Sequence, residues 1–531
     1  MTTNATASPH GDYIAYMRGG YVLTQSIRHR EPTTQSACKL PPDAKVASLK
    51  WSADGSQILI SHDRGLQVVD SKHRSSRVFL KNGTAGLGRI ATADFVGNEH
   101  LLVVWEFGKA KLWHMNSGKA VDLPDFKTTC DGQTWQIRPG NKTPPLFAVL
   151  SRIGAEDHLS LRFPSLRQLP PPAKLPTIDA QGISWSPDGR WLAILDVPTA
   201  SQSLHIYTPD GHLFRSYPSA KDVELGLGIK SFAWSGDSRI LALTKFDGLV
   251  ELLNTRTFMP IAMIEHSTTI HQHEVEKEQQ APVWQEAVSS ANERSYTQQQ
   301  QPFSPPLSKA KAGNEPSDLG LAEICFSCDG SYLATRDCRM LNTVWIWNMA
   351  TLGAHAVLIQ HSNIRRLKWH PTRFETLLID CAEGFAHVWN VSSREPPTAL
   401  PTGGLAKAKL TWLEGPAEAR PIIMVTEQSR FHLLHPEGQD ELLEQVSRPA
   451  SAEGSEPNDE GNSEDSLFQV LSGRKPLPPK TQPSYTEMVD LEMEAEDELD
   501  GDGLDDTFRE KRKAVQQAPM EIDPLDDSEI F

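Results

Sequence analysis

No stretch of this 531-residue chain approaches the ~20 consecutive apolar residues that a membrane-spanning helix needs. Residues Met1–Ala7 hold neither a basic cluster nor an apolar run, so they do not read as a secretory signal. Six cysteines over this length make no disulfide framework and point to a reducing compartment. Catalytic signatures are missing too: there is no Gly-x-Ser-x-Gly elbow, no phosphate-binding loop and no His-Glu-x-x-His pair. The expectation is a soluble, intracellular protein that is not an enzyme, with no catalytic, cofactor or metal residues and no membrane partner. Apolar residues are scarce as well, at 38%, so part of the chain is not expected to build a core. Positive charge is short in one place only. Residues 445–531 hold 23 acidic and 8 basic residues, a net of −15 against −16 for the whole chain. That acidic tail is too charged to fold alone and is expected to be disordered over 441–531. The remaining body is almost neutral, which argues against a direct nucleic-acid surface.

What the sequence has is a repeat. An aromatic residue, a small polar residue, a turn and an apolar run recur as Trp51-Ser-Ala-Asp-Gly, Trp185-Ser-Pro-Asp-Gly, Trp234-Ser-Gly-Asp-Ser and Phe326-Ser-Cys-Asp-Gly. Weaker copies start at Ala7, Phe95, Ile137, Trp369 and Trp412. Successive copies are 42 to 49 residues apart, except for one step of 92. Asp-Gly favours a tight turn, because glycine accepts positive φ and Asp bonds its own backbone. The flanking runs are short and alternating, as strands are. Further strands end on Trp113, on Trp345 and Trp347, and on Trp389, in the place of a closing Trp-Asp. A period of ~40–45 residues with these features marks four-stranded propeller blades. The fold class is therefore all-β, a single WD40-type propeller of seven to nine blades spanning 1–440.

Two irregularities stand out. The long step places an excess at 267–317, rich in Gln and Pro, which is expected to be a disordered insertion between blades. In an up-and-down blade it emerges on the face that meets partners in WD40 rings. The first copy, Ser8-Pro-His-Gly11, lacks the apolar strand that precedes the others, and the last seems short of a fourth strand. Imperfect closure or a truncated start would explain both, and unpaired edges favour truncation.

Other candidates read more plainly. Cys325 and Cys328 have zinc-pair spacing but no second pair, and they occupy the core and turn frame of the repeat. His266, His271 and His273 crowd the mouth of the insertion and read as a solvated loop rather than a metal cluster. Asp500–Asp506 fails as a calcium loop, because Leu504 sits at the fifth position and Lys511 takes the place of the bidentate Glu. Arg474–Pro479 reads as a linker, and Lys511–Lys513 is too short for nuclear import. Tyr485–Leu499 mixes apolar and acidic residues and reads as a solvating tail. Ser304, before Pro305, is a proline-directed phosphorylation candidate, and Ser186 should be less accessible.

Glu224–Trp234 with Phe246–Asn254, and Gly320–Arg336 with Asn342–Trp347, are more specific than generic blade sequence. They resemble the WD repeat-containing protein eight family of spindle-pole and centrosome proteins, over roughly residues 8–435. The resemblance implies a non-enzymatic scaffold of the cytoplasm and cytoskeleton, at the spindle pole body or another microtubule-organising centre. Its implied partners are a coiled-coil anchoring protein, a minus-end-directed kinesin of the fourteen class and other components of that centre. Gln-rich segments suit a fungal member. The alternative is a generic WD40 adaptor, such as a ubiquitin-ligase substrate receptor or a chromatin or RNA complex subunit.

Overall fold

The computed structural model describes residues 5–438, apart from 28–33, 42–43, 72–75, 84–86, 129–131, 141–143, 165–167, 219–227, 272–280, 309–318, 406, 416–418 and 428–429. The expected tail 441–531, with its candidate segments, lies outside the described residues, as does His273.

Every regular element among the described residues is a strand. The strands form nine sheets, each built on a blade whose own strands pair antiparallel in chain order. The blades span residues 6–39, 46–81, 90–123, 135–174, 182–217, 229–264, 321–359, 366–401 and 409–434. The expected seven to nine blades thus resolve to nine, and each of the nine repeat copies begins one. First strands touch between blades 1 and 2, 4 and 5, 6 and 7, and 7 and 8, so the repeat lines the inside of the ring.

Alternation within each strand explains why one blade cannot stand alone. Ile58 and Ile60 pack toward blade 1, with Ala15 and Val22, whereas Leu59 between them packs toward Phe95 and Leu101 of blade 3. Leu377 and Ile379 face blade 7, and Leu378 faces Leu410 and Ile423 of blade 9. Side chains of period two therefore bury both faces of a strand only when blades stack. Nine apolar clusters result, one per seam. The ninth joins Ile14 of blade 1 to Leu413, Ile422 and Met424 of blade 9, and it closes the ring. The first blade does have an opening strand, the two-residue Thr6–Ala7, paired with Ile14 and Ala15. Its apolar share is small because the seam is filled from the second strand. Among the described residues blade 9 has three strands.

The repeat phrase also supplies polar ties between blades. The Trp51 indole N–H donates to the Thr6 carbonyl at 3.0 Å, Trp185 to Gln136 at 3.3 Å, and Trp369 to Cys325 at 3.0 Å. Each acceptor precedes the equivalent position of the blade before. Lysines reach the other way: Lys50 Nζ donates to Ala93 O at 3.1 Å and Lys368 Nζ to Leu410 O at 3.0 Å. Within each strong copy the serine is buried and holds the turn. Ser186 Oγ donates to Asp188 at 2.6 Å and accepts the Trp191 N–H at 3.0 Å, and Ser52, Ser235 and Ser327 repeat this. The turn's last position needs positive φ. Gly189 takes it at 67°, and there a Cβ would meet Pro139 O at 2.8 Å.

The insertion departs from expectation. Residues 267–317 are not uniformly disordered, because Val283–Val288 and Arg294–Gln299 form an antiparallel hairpin. Its first strand runs parallel to the outer strand Gly353–Ile359 of blade 7 and widens that sheet to six strands. Val283 enters the seam of blades 6 and 7, and Trp284 packs on that of blades 7 and 8. Gln and Pro enrichment concealed this, since the hairpin is held by side chains of other blades rather than by its own apolar pattern.

Candidate functional site

The hairpin wedges between the outer edges of blades 7 and 8, and a buried polar network lies beneath it. Arg294, opposite Val288 at the start of the second hairpin strand, places Nη1 3.2 Å from both Glu286 Oε1 and Glu383 Oε1. Its guanidinium stacks 4.7 Å above the Phe385 ring. Tyr296 OH donates to Gln360 Oε1 at 2.7 Å and meets His387 Nδ1 at 2.9 Å. Glu286 Oε2 accepts the His361 N–H at 2.8 Å, and Ser362 Oγ donates to Glu383.

Blade 8 contributes through one turn. Ala382 and Gly384 take φ of 54° and 90°, which reverses the chain between strands Thr376–Asp380 and Phe385–Asn390. Cys381, Glu383 and His387 thereby converge, with one ligand-type atom of each within 4.8 Å of the others. His387 is fully buried, and its Nε2 has no hydrogen-bond partner, 3.6 Å from Glu383 Oε1.

Charge in this pocket follows from burial and neighbours. Burial would raise the Glu383 carboxyl, but the nearby His387, the Ser362 hydroxyl and the Arg294 charge outweigh it and hold its pKa at about 2. Burial pushes the Cys381 thiol far up, and the Glu383 and Glu286 charges add to this. Burial likewise pushes the Tyr296 phenol up, so it stays a neutral hydrogen-bonding group.

A second buried charge cluster is different in kind. Lys127 Nζ, with a fully buried side chain, lies 2.9 Å from Asp157 and 2.6 Å from Asp179, and Arg152 bonds both carboxylates. Asp157 also accepts from Thr177 Oγ1 and the Ala180 N–H. Its acceptors are saturated, so it holds the connectors before and after blade 4 against that blade and offers no open position.

The residues singled out in the sequence are dispersed. Cys325 sits on the inner strand of blade 7 and Cys328 in the following turn, and both are free thiols. His271 is exposed, but His266 is not part of a solvated loop. It is buried edge-on against Trp345 and Trp347, with Nε2 2.7 Å from Thr335 Oγ1, which also accepts the Trp347 indole N–H at 2.8 Å. Polar residues around it disguised a core histidine; the side chains against its ring, Thr335, Trp345 and Trp347, lie 69 and more residues away in sequence. Ser304 is exposed, with Oγ 3.0 Å from Thr269 Oγ1, and Ser186 is fully buried. Neither Arg294 nor His387 carried a sequence signal.

Nine blades of this pattern match known proteins along most of their length. No family model matches. An uncharacterized WD repeat-containing protein of Schizosaccharomyces pombe is 28% identical over 469 residues, covering 84% of this chain and 93% of that one. The mouse WD repeat-containing protein WRAP73 is 30% identical over 383 residues, covering 68% of this chain and 79% of its own. The chain belongs to this WD repeat family. Among solved structures, the C-terminal WD40 domain of Sif2 superposes with a TM-score of 0.40 at 13% identity, over 76% of this chain and 97% of that domain.

Proposed function

We propose that the protein is a non-enzymatic scaffold of the cytoplasm and cytoskeleton, working at the spindle pole body or equivalent microtubule-organising centre. There it assembles with a coiled-coil anchoring protein and a minus-end-directed kinesin to tether microtubule minus ends and organise the mitotic spindle. The observation that carries this reading is the resemblance of residues 224–254 and 320–347 to the spindle-pole family, within a chain belonging to the WD repeat proteins. A rigid ring with both faces of every blade buried leaves its rims and perimeter for protein contacts. The docked hairpin distinguishes one sector of that perimeter, and its second strand, Arg294–Gln299, exposes Ser295, Thr297 and Gln298. Peptide groups of an edge strand with such uncharged side chains are suited to pairing with an extended segment of a partner.

Live imaging of the tagged endogenous protein beside a spindle-pole marker tests the role. Persistent pole foci, with a coiled-coil protein and a kinesin recovered on purification, are the expected result. A diffuse or chromatin-bound signal through mitosis, with ligase or chromatin subunits recovered instead, would overturn it in favour of a general adaptor.

A further inference from the structure

Cys381, Glu383 and His387 offer a sulfur, an oxygen and a nitrogen from one turn, in the pocket that the hairpin roofs. Three observations bear on what fills the space between them. The first is the unmatched imidazole nitrogen. Tyr296 OH donates to Gln360 and lies 2.9 Å from His387 Nδ1, whereas the buried Nε2, 3.6 Å from Glu383 Oε1, has no hydrogen-bond partner. A buried ring nitrogen left without a bond is costly.

The second is spacing. An imidazolium Nε2–H would close on the carboxylate to ~2.8 Å, as charge-assisted bonds do. The separation of 3.6 Å instead approaches the ~3.4 Å edge of a tetrahedron whose centre lies ~2.0–2.1 Å from nitrogen and oxygen. The third is charge. Glu286 and Glu383 share the single Arg294 guanidinium within a buried network. A divalent ion bound by a Cys381 thiolate adds one positive charge beside the two carboxylates.

We propose that Cys381, Glu383 and His387 bind a zinc ion that fixes the insertion hairpin to blade 8. The mixed soft and borderline donor set selects zinc over magnesium or calcium, which prefer all-oxygen shells. Binding displaces the Cys381 thiol proton to solvent, and a water completes the four positions. Tyr296 and Gln360 orient the imidazole from the far side, as outer partners of metal-bound histidines do. The ion is structural here, because the hairpin closes over it and only Glu383 retains partial exposure.

Metal analysis of the purified full-length chain, under reducing conditions and after dialysis, gives the test. About one zinc per chain is expected, falling more than tenfold in Cys381→Ser while Cys338→Ser keeps it. Cobalt exchanged for zinc should show a thiolate-to-cobalt absorption band that persists in Cys328→Ser. If Cys381→Ser fails to fold, this band in the native chain decides. Native protein that stays metal-free after zinc reconstitution and shows no thiolate–cobalt band would overturn the proposal. So would Cys381→Ser that retains its zinc, or loss of the band in Cys328→Ser. None of them bears on spindle-pole localisation, which is read separately.

Discussion

The indole N–H of Trp412 donates to the backbone carbonyl of Lys368, 3.0 Å away, and so fastens blade 9 to blade 8 through the residue that opens each repeat. The same bond joins Trp369 to Cys325, but the indole nitrogen of Trp234 is buried without a partner.

This difference sets a paired prediction. Trp369→Phe should lower the stability of the ring by about 1–2 kcal/mol, because it deletes a donor and strands a buried carbonyl. Trp234→Phe should cost distinctly less, since no bond is lost. Denaturant midpoints for the two variants, compared at unchanged m-value, check it.

Serines of the repeat should separate from the exposed one in the same way. Ser186→Ala removes a hydroxyl that bridges Asp188 and the Trp191 N–H and should cost ~1–3 kcal/mol. Ser304→Ala, on an exposed side chain, should stay within ~0.5 kcal/mol. Thermal melts of both proteins give the comparison.

Acid should weaken the ring through buried neutral histidines. Burial, with the Arg373 charge adding, lowers His370 to about 4, and burial lowers His266 to about 4 against the opposing charge of Asp337. Both folded values lie below the unfolded 6.5, so the stability they contribute is full above pH ~6.5 and is lost progressively as pH falls toward 4. His370 Nδ1 accepts the backbone N–H groups of Thr372 and Arg373, a role that an Asn side chain can imitate without titrating. His370→Asn should therefore flatten the decline in denaturation midpoint between pH 6.5 and 4; an unchanged slope would refute the assignment.

Arg294→Ala should free the hairpin while leaving the ring closed. It leaves Glu286 and Glu383 buried with one counter-charge fewer, a change that typically costs ~3–5 kcal/mol locally. Amide exchange across 283–299 should accelerate, and exchange in blades 2 to 4 should not. Tyr296→Phe, which loses only the links to Gln360 and His387, should accelerate the same segment less.

Why the blades were legible and the site was not follows from the range of the forces involved. Trp51, Trp185, Trp234 and Phe326 sit in phrases whose turn chemistry and apolar alternation are local, so nine copies announced a propeller of seven to nine blades. The hairpin Val283–Gln299 depends on Arg294 reaching Glu383 and Tyr296 reaching His387, 89 and 91 residues away. No window of sequence contains such a pairing. His266 misled for the same reason: its chain neighbours are polar, but Thr335, Trp345 and Trp347 enclose it.

A ring of nine near-equivalent wedges has almost no landmarks, and a partner approaching its circumference would meet much the same outline at every ~40° of rotation. The strand pair added beside Gly353–Ile359 breaks that degeneracy. It gives the wheel an index mark, so that whatever grips the rim at blades 7 and 8 can do so in a single angular setting and hold its other cargo at a defined bearing around the axis.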